Sequence, residues 1–159
     1  MPYQNSIFLN IPVANLEASI NFYNAIGFVQ NKTFSSGDSA MMSLPPVGVQ
    51  TGPQAHEGPI KIMLLNHSSY RSFLPPNIDI ADPKNVAQCL ICLSRPSNEA
   101  VDELCDKAAE AGGKKDIREK SELEKQMEQS GMYGRVVSDP DGHIIEVIYM
   151  PPVTYEGSQ

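Results

Sequence analysis

Apolar and other side chains alternate from Ile7 to Val13. Ile7, Leu9, Ile11 and Val13 fall on one face of an extended segment, and Phe8, Asn10 and Pro12 on the other, which is the period-2 signature of a strand. The period then changes. Leu16, Ile20, Tyr23 and Ile26 recur at helical spacing. Asn15 stands where a capping side chain is needed, Glu17 lies in the first turn where a negative charge complements the helix dipole, and Gly27 supplies the stop. Phe28–Phe34 and Ala40–Leu44 read as strands around a Ser35–Asp38 turn, and Lys61–Asn66 as a third strand. His67 closes that strand, and Ser68 is placed to cap a short helical turn that ends before Pro75–Pro76.

The second half repeats the order. Val86–Leu93 predicts a strand. Ser97 caps a helix whose buried stripe is Val101, Leu104, Cys105 and Ala108, ended by Gly112–Gly113. Lys114–Ile117 predicts a short strand, and the highly charged Arg118–Gln129 either a solvated helix or a flexible loop. Arg135–Ser138 and Ile144–Met150 form a hairpin around Asp139-Pro140-Asp141-Gly142, in which Pro140 pre-sets φ and Gly142 tolerates a positive φ. The chain thus reads strand–helix–three strands, twice. Residues 1–76 make a first module, 77–85 a linker, 86–152 a second module and 153–159 a tail, all within one domain.

One stretch breaks the pattern. Pro45–Pro59 holds four prolines and three glycines, and it predicts a mobile loop joining two strands of the first module, with little apolar surface to dock it. His56 and Glu57 lie in it and read as solvated.

Glu146 is the oddity of the last strand. Alternation puts it on one face with Ile144 and Ile148, and Ile145, Val147 and Tyr149 on the other. A carboxylate among such neighbours is solvated at an edge or directed at a cavity. Arg135, on the adjacent strand, is its expected ion-pair partner.

Composition narrows the function. Apolar residues make up 41 % of the chain, enough for a core, and 19 acids against 12 bases leave a net charge of −7. That balance opposes nucleic acid or an anionic membrane as partner. No apolar run approaches the roughly 20 residues that span a bilayer, and the first ten residues lack the positive region of a signal peptide. The expectation is a cytoplasmic protein. Three cysteines make no disulfide framework. Cys89 and Cys92 are spaced to face opposite sides of a strand, which opposes a zinc site, and Cys105 reads as core.

Particular residues carry a resemblance. Ile11–Tyr23 with Ile26-Gly27-Phe28, and Asp139-Pro140-Asp141-Gly142-His143 with Glu146, resemble the vicinal oxygen chelate superfamily, which includes glyoxalase I, extradiol dioxygenases, and fosfomycin and bleomycin resistance proteins. Asn10–Val13, Met63–Leu65, Ala111–Gly113 and Met132–Glu146 look closest to a glyoxalase-like branch. The resemblance spans nearly the whole chain except Pro45–Pro59 and Arg118–Ser130. It implies an α+β fold in which two βαβββ modules form a curved mixed sheet around a cleft, with the helices Leu16–Ile26 and Asn98–Ala111 outside it. It also implies a homodimer.

Many members of the superfamily hold one divalent metal through His or Glu from four strands. The corresponding positions here fall at Phe8, near Leu64, at Cys89 or Leu90, and at Glu146. Only Glu146 is of a ligand type, and one carboxylate does not hold a catalytic metal. His67 lies three residues beyond Leu64, on the other face. The resulting expectation is a cleft for a small organic molecule lined by Phe8, Asn10, Leu64, Arg135 and Glu146, without cofactor, in which Glu146 is a candidate general base. Met41, Met42 and Met63 would give adaptable walls. The alternative is a glyoxalase-type lyase or isomerase, or a dioxygenase, with one divalent metal such as Zn, Ni or Fe.

Overall fold

The computed structural model describes residues 5–152; the expected 153–159 tail lies outside them. β1 (Ile7–Val13) leads into α1 (Leu16–Ala25), followed by β2 (Val29–Asn31), β3 (Ser39–Ser43) and β4 (Ile60–Asn66). After α2 (His67–Arg71) the order recurs: β5 (Ile91–Ser94), α3 (Asn98–Glu110), β6 (Lys114–Lys115), then α4 (Glu122–Gln129), β7 (Tyr133–Ser138) and β8 (Ile144–Tyr149). The expected pair of βαβββ modules is therefore present. Hydrogen bonds group the strands into two four-stranded mixed sheets, β1-β4-β3-β2 and β5-β8-β7-β6, in which β1/β4 and β5/β8 are parallel and the other pairs antiparallel.

Local chemistry sets most boundaries. The Asn15 side chain accepts from Ala18 N and that of Ser97 from Ala100 N, capping α1 and α3 as the sequence predicts. Three expectations are corrected. β2 stops at Asn31 because the Asn31 side chain accepts from Thr33 N and turns the chain into a 3-10 turn at Lys32–Phe34. The cap of α2 is Asn66, which accepts from Ser69 N, rather than Ser68. β5 begins at Ile91 and not at Val86, because Asp82 takes the N–H groups of Lys84, Asn85 and Val86 into a turn.

Each long helix covers one face of its own sheet, α1 on β2–β4 and α3 on β6–β8, and the two helices also touch. One core runs across both modules, joining Val13, Phe22, Tyr23 and Leu64 to Val101, Leu104, Val137 and Val147. At the close of α3 the chain passes so near to α1 that a Cβ on Gly113 would lie 2.3 Å from Ser138 O and 2.6 Å from Phe22 Cε2, so only glycine fits there.

Polar contacts fix the modules to each other at the β7–β8 turn. Asp139 is 2 % exposed. Its Oδ1 accepts from the N–H groups of Asp141, Gly142 and His143 at 2.9–3.0 Å, and its Oδ2 accepts the Tyr23 hydroxyl at 3.1 Å. Asp141 accepts from Ala14 N at 2.9 Å and from Ser19 Oγ at 3.4 Å, placing a carboxylate at the positive end of α1. His143 Nε2 lies 2.8 Å from Pro12 O. Burial, then the Asp139 charge, pushes the Tyr23 phenol well above its ordinary value, so it stays a donor.

Tyr23→Phe removes the one bond from α1 to Asp139 and keeps the ring. It is expected to lower unfolding free energy in urea by about 1.5–3 kcal/mol, the range for a hydrogen bond to a charged group. A loss under about 0.5 kcal/mol would show that the contact does not hold the modules together.

Candidate functional site

The face of the second sheet that carries no α3 is set by strand alternation. Ile145 and Val147 are wholly buried in the core, so Ile144, Glu146 and Ile148 point the other way. Cys92 on β5 and Val136 on β7 are the direct cross-strand neighbours of Glu146. Cys92 is thus the β5 residue beside Glu146, and Cys89 and Leu90 precede the strand. Burial, and then the Glu146 charge, push the Cys92 thiol up.

Residues 118–129 supply a roof. α4 begins with a capping box in which Glu124 N donates to Ser121 Oγ at 3.2 Å and Ser121 N donates to Glu124 Oε2 at 2.8 Å. Arg118 clamps the same carboxylate with both terminal nitrogens, at 2.7 and 3.0 Å. Together they hold Glu124 down to about 2. Of the two readings left open for this stretch, helix is therefore the outcome. Leu123 and Met127, one turn apart, share a face. Between that face and the strands lies a cavity of about 460 Å³, walled by Leu123, Met127, Met132, Ile148 and Met150, with Cys92 and Glu146 on the strand side. Arg118 Nη2 reaches Glu146 Oε1 at 3.5 Å.

The predicted site residues do not all meet here. Glu146 does, with 30 % of its side chain exposed. Arg135 does not act as its partner. Its cross-strand neighbour is Val147, and its guanidinium bonds Asp102 at 2.8 Å and Asp116 at 2.6 and 3.0 Å. The hairpin register explains the correction: Ser138 pairs with Ile144, so Val136 rather than Arg135 falls opposite Glu146. Asp116 holds its place at φ 52, the left-handed region that aspartate tolerates better than most residues. Arg135 keeps Asp116 below the usual carboxylate range, and the Tyr133 hydroxyl, then Arg135, does so for Asp102.

Phe8 and Asn10 lie on the helix-free face of the first sheet, directly across from Lys61 and Met63. Leu64 is corrected. It pairs with Ile11 and is wholly buried in the shared core, and Met63 takes the position beside Asn10. Met41 pairs with Met63, whereas Met42 belongs to the core. Phe8, Asn10 and Leu64 line no part of the cavity at Glu146; Asn10 borders a separate hollow of about 50 Å³ with Tyr70, Val86 and His143.

The Pro45–Pro59 loop is docked rather than bare. Ala55 is wholly buried, and Lys61, 9 % exposed as a residue, donates from its ammonium to His56 O at 2.7 Å and Gly58 O at 2.8 Å. His56 Nδ1 is buried without a partner among the described residues. His67 opens α2 beside Arg71 and Lys84, away from Glu146. Cys105 is core, its thiol pushed by burial to about 11.

Sequence reasoning missed Arg118, Leu123 and Met127, which fall in a stretch outside the family resemblance. Two signals were available: Ser121-x-x-Glu124, a capping box, and the helical spacing of Leu123 and Met127.

The donor set does not suit a divalent metal. Around the positions the resemblance implies, the strands carry Phe8 and Asn10 on β1, Met63 on β4, Cys92 on β5 and Glu146 on β8, a single carboxylate and a single thiol where several donors must converge. No group of three His, Cys, Asp or Glu among the described residues is placed to hold one. No helix among them is long and apolar enough to cross a membrane.

The depressed Glu124 has a consequence with a definite sign. Its contribution to α4 is fully present above its ordinary value of 4.5 and is lost as pH falls toward about 2. Amide resonances of α4 should therefore shift toward unfolded positions across that window. In Glu124→Gln no such transition should occur there. An α4 unchanged from pH 5 to pH 2 would contradict the clamp.

Solved structures with the same fold include a hypothetical protein from S. aureus (TM-score 0.65, 23 % identity, covering 94 % of this chain and 96 % of that one). A glyoxalase-related enzyme from Fulvimarina pelagi matches with a TM-score of 0.63 and 18 % identity over 98 % and 96 % of the two chains. A glyoxalase/bleomycin resistance protein/dioxygenase family enzyme from Burkholderia phytofirmans PsJN matches with a TM-score of 0.60 and 18 % identity over 89 % and 95 %. No curated protein matches the chain. The family model for the glyoxalase/bleomycin resistance protein/dioxygenase superfamily matches residues 6–147. With both modules, their strand order and nearly the whole length accounted for, the chain belongs to the glyoxalase/bleomycin resistance protein/dioxygenase superfamily.

Proposed function

We propose that the chain binds a small organic molecule in the cavity between α4 and β8, without a complete metal site. Glu146 is then the polar anchor and, for a substrate with an acidic proton held against it, the general base. One observation carries this reading. Glu146 stands in a largely apolar cavity of about 460 Å³, and among the described residues no donor hydrogen-bonds it, Arg118 being 3.5 Å away. A largely apolar cleft with a few polar groups is the ordinary make-up of a small-molecule site. The fold supports the same reading, since a bleomycin-binding protein solved in complex with bleomycin shares it (TM-score 0.52, 15 % identity). Metal-dependent lyase, isomerase or dioxygenase chemistry would need further donors where Phe8 and Met63 stand.

A second copy of the chain is the proposed protein partner. Ile7 is 61 % and Phe8 53 % exposed on β1, the edge strand of the first sheet, apolar surface of the kind that association covers. Light scattering at micromolar concentration should return twice the 17.4 kDa chain mass; a monomer mass would count against the dimer.

A thermal-shift panel of aromatic and dicarbonyl compounds, aromatic amines included, tests the cavity. A compound at about 100 times its Kd adds about 2.7 kcal/mol, which raises Tm by about 5–10 °C in a chain of this length. Glu146→Gln should remove that shift. The variant's own stability should change little, because an ion pair this exposed contributes about 0–1 kcal/mol. Shifts that survive in Glu146→Gln, or a panel with no shift at all, would contradict the proposal.

A further inference from the structure

The charges around the cavity specify its ligand further than its shape does. Three carboxylates line it: Glu124, Glu128 and Glu146. Glu124 is satisfied by Arg118 and by the N–H and hydroxyl of Ser121, each at 2.7–3.0 Å. Glu128 is taken by Lys120. The lining cations are spent as well. Arg135 is held by Asp102 and Asp116, and Arg118 gives its hydrogen bonds to Glu124 and to Glu119 O. Only Glu146 is left without a hydrogen-bonded donor among the described residues; its one charged neighbour is Arg118 at 3.5 Å.

A half-buried carboxylate in this condition favours whatever brings it a donor. A cationic donor adds direct charge attraction to its hydrogen bond, and it also balances the excess of acid in the lining. An anionic ligand would meet three carboxylates with their cations already engaged. The rest of the wall is soft and apolar: Met127, Met132, Met150, Leu123 and Ile148, thioethers and branched alkyl groups that repack around differently shaped bodies. The ring of Tyr133 already accepts a cation on its face, the Lys120 ammonium 4.9 Å from its centroid. A net charge of −7 draws cations toward the molecule from a distance.

We infer that the ligand class of this cavity is an amphipathic organic cation, an apolar body of aromatic-ring size carrying an ammonium or amidinium group, with the cation seated on Glu146 and the body among the three methionines. This deepens the reading of the cavity as a small-molecule site and rests on it. Arg118 keeps its clamp on Glu124 when the ligand arrives and yields only its long contact to Glu146. α4 and the segment before it supply one side of the cavity, and Cys92 on β5, Tyr133 on β7 and Glu146 and Ile148 on β8 supply the other.

The test uses three probes with one apolar body: 4-phenylbutylamine, 4-phenylbutanol and 4-phenylbutyrate, titrated into the full chain by calorimetry and by NMR of the methionine methyls. The amine is expected to bind about tenfold tighter than the alcohol, with the butyrate weakest, and to shift the methyls of Met127, Met132 and Met150. In Glu146→Gln the amine and the alcohol should both lose affinity, the amine by more, so that the two come level. Added salt should weaken the amine alone. An alcohol or butyrate that binds as tightly as the amine in the unaltered chain would overturn the cation assignment while leaving the cavity as a binding site. Absence of binding by all three would overturn both. The ranking of the probes on the unaltered chain decides the matter even where the variant folds poorly.

Discussion

A single buried carboxylate, Asp139, sets the register on which the rest of this structure depends. It collects three successive N–H groups at the β7–β8 turn, so the turn can close in only one way. Gly142 completes it at φ 103. That closure pairs Ser138 with Ile144 and therefore Val136 with Glu146, and a slip of one residue would send Glu146 into the core and Val147 out of it. The same carboxylate accepts Tyr23 from the other module, so the turn that aims Glu146 also joins the two halves. Burial pushes Asp139 upward while His143 and the N–H donors oppose it, and a buried charge is tolerable because those donors and Tyr23 replace water.

The hairpin, the capped helices and the glycine stops were legible in the sequence because their causes are local. Asn15, Ser97, Gly27 and Gly112 act on residues within a few positions of themselves. What could not be read depended on pairing between distant segments. Leu64 and Met63 differ by one position, and only the parallel register of β1 on β4 decides which of them stands beside Asn10. Arg135 looked like the partner of Glu146 from strand adjacency, and the cross-strand count sent it to Asp102 and Asp116 instead. Val86–Leu90 has strand composition, yet Asp82 captures the N–H of Val86 in a turn. The proline-rich loop seemed to lack anything to dock it, and the docking comes from Lys61, a residue outside the loop.

The candidate site was half legible. Glu146 stood out as a charge in an apolar strand, and alternation gave its face. Its surroundings did not follow, because the fold family sets the strands while α4 sets what lies over them. Fold alone does not assign chemistry. Here the local ingredients of that helix, a capping box, an arginine clamp and two apolar residues one turn apart, turn a bare strand face into an enclosure with an excess carboxylate. The first module differs in kind: its equivalent face is crossed by the Lys61-bound loop, and around the positions the resemblance implies it carries Phe8, Asn10 and Met63.

The central claim is that α4 closes over Glu146 and makes the cavity. Methyl nuclear Overhauser spectroscopy on the free chain tests it most directly. The account predicts cross-peaks from the methyls of Leu123 and Met127 on α4 to those of Ile148 and Met150 across the cavity. Methyls of Leu123 and Met127 that show contacts only within their own helix would contradict it, leaving Glu146 on an open strand face.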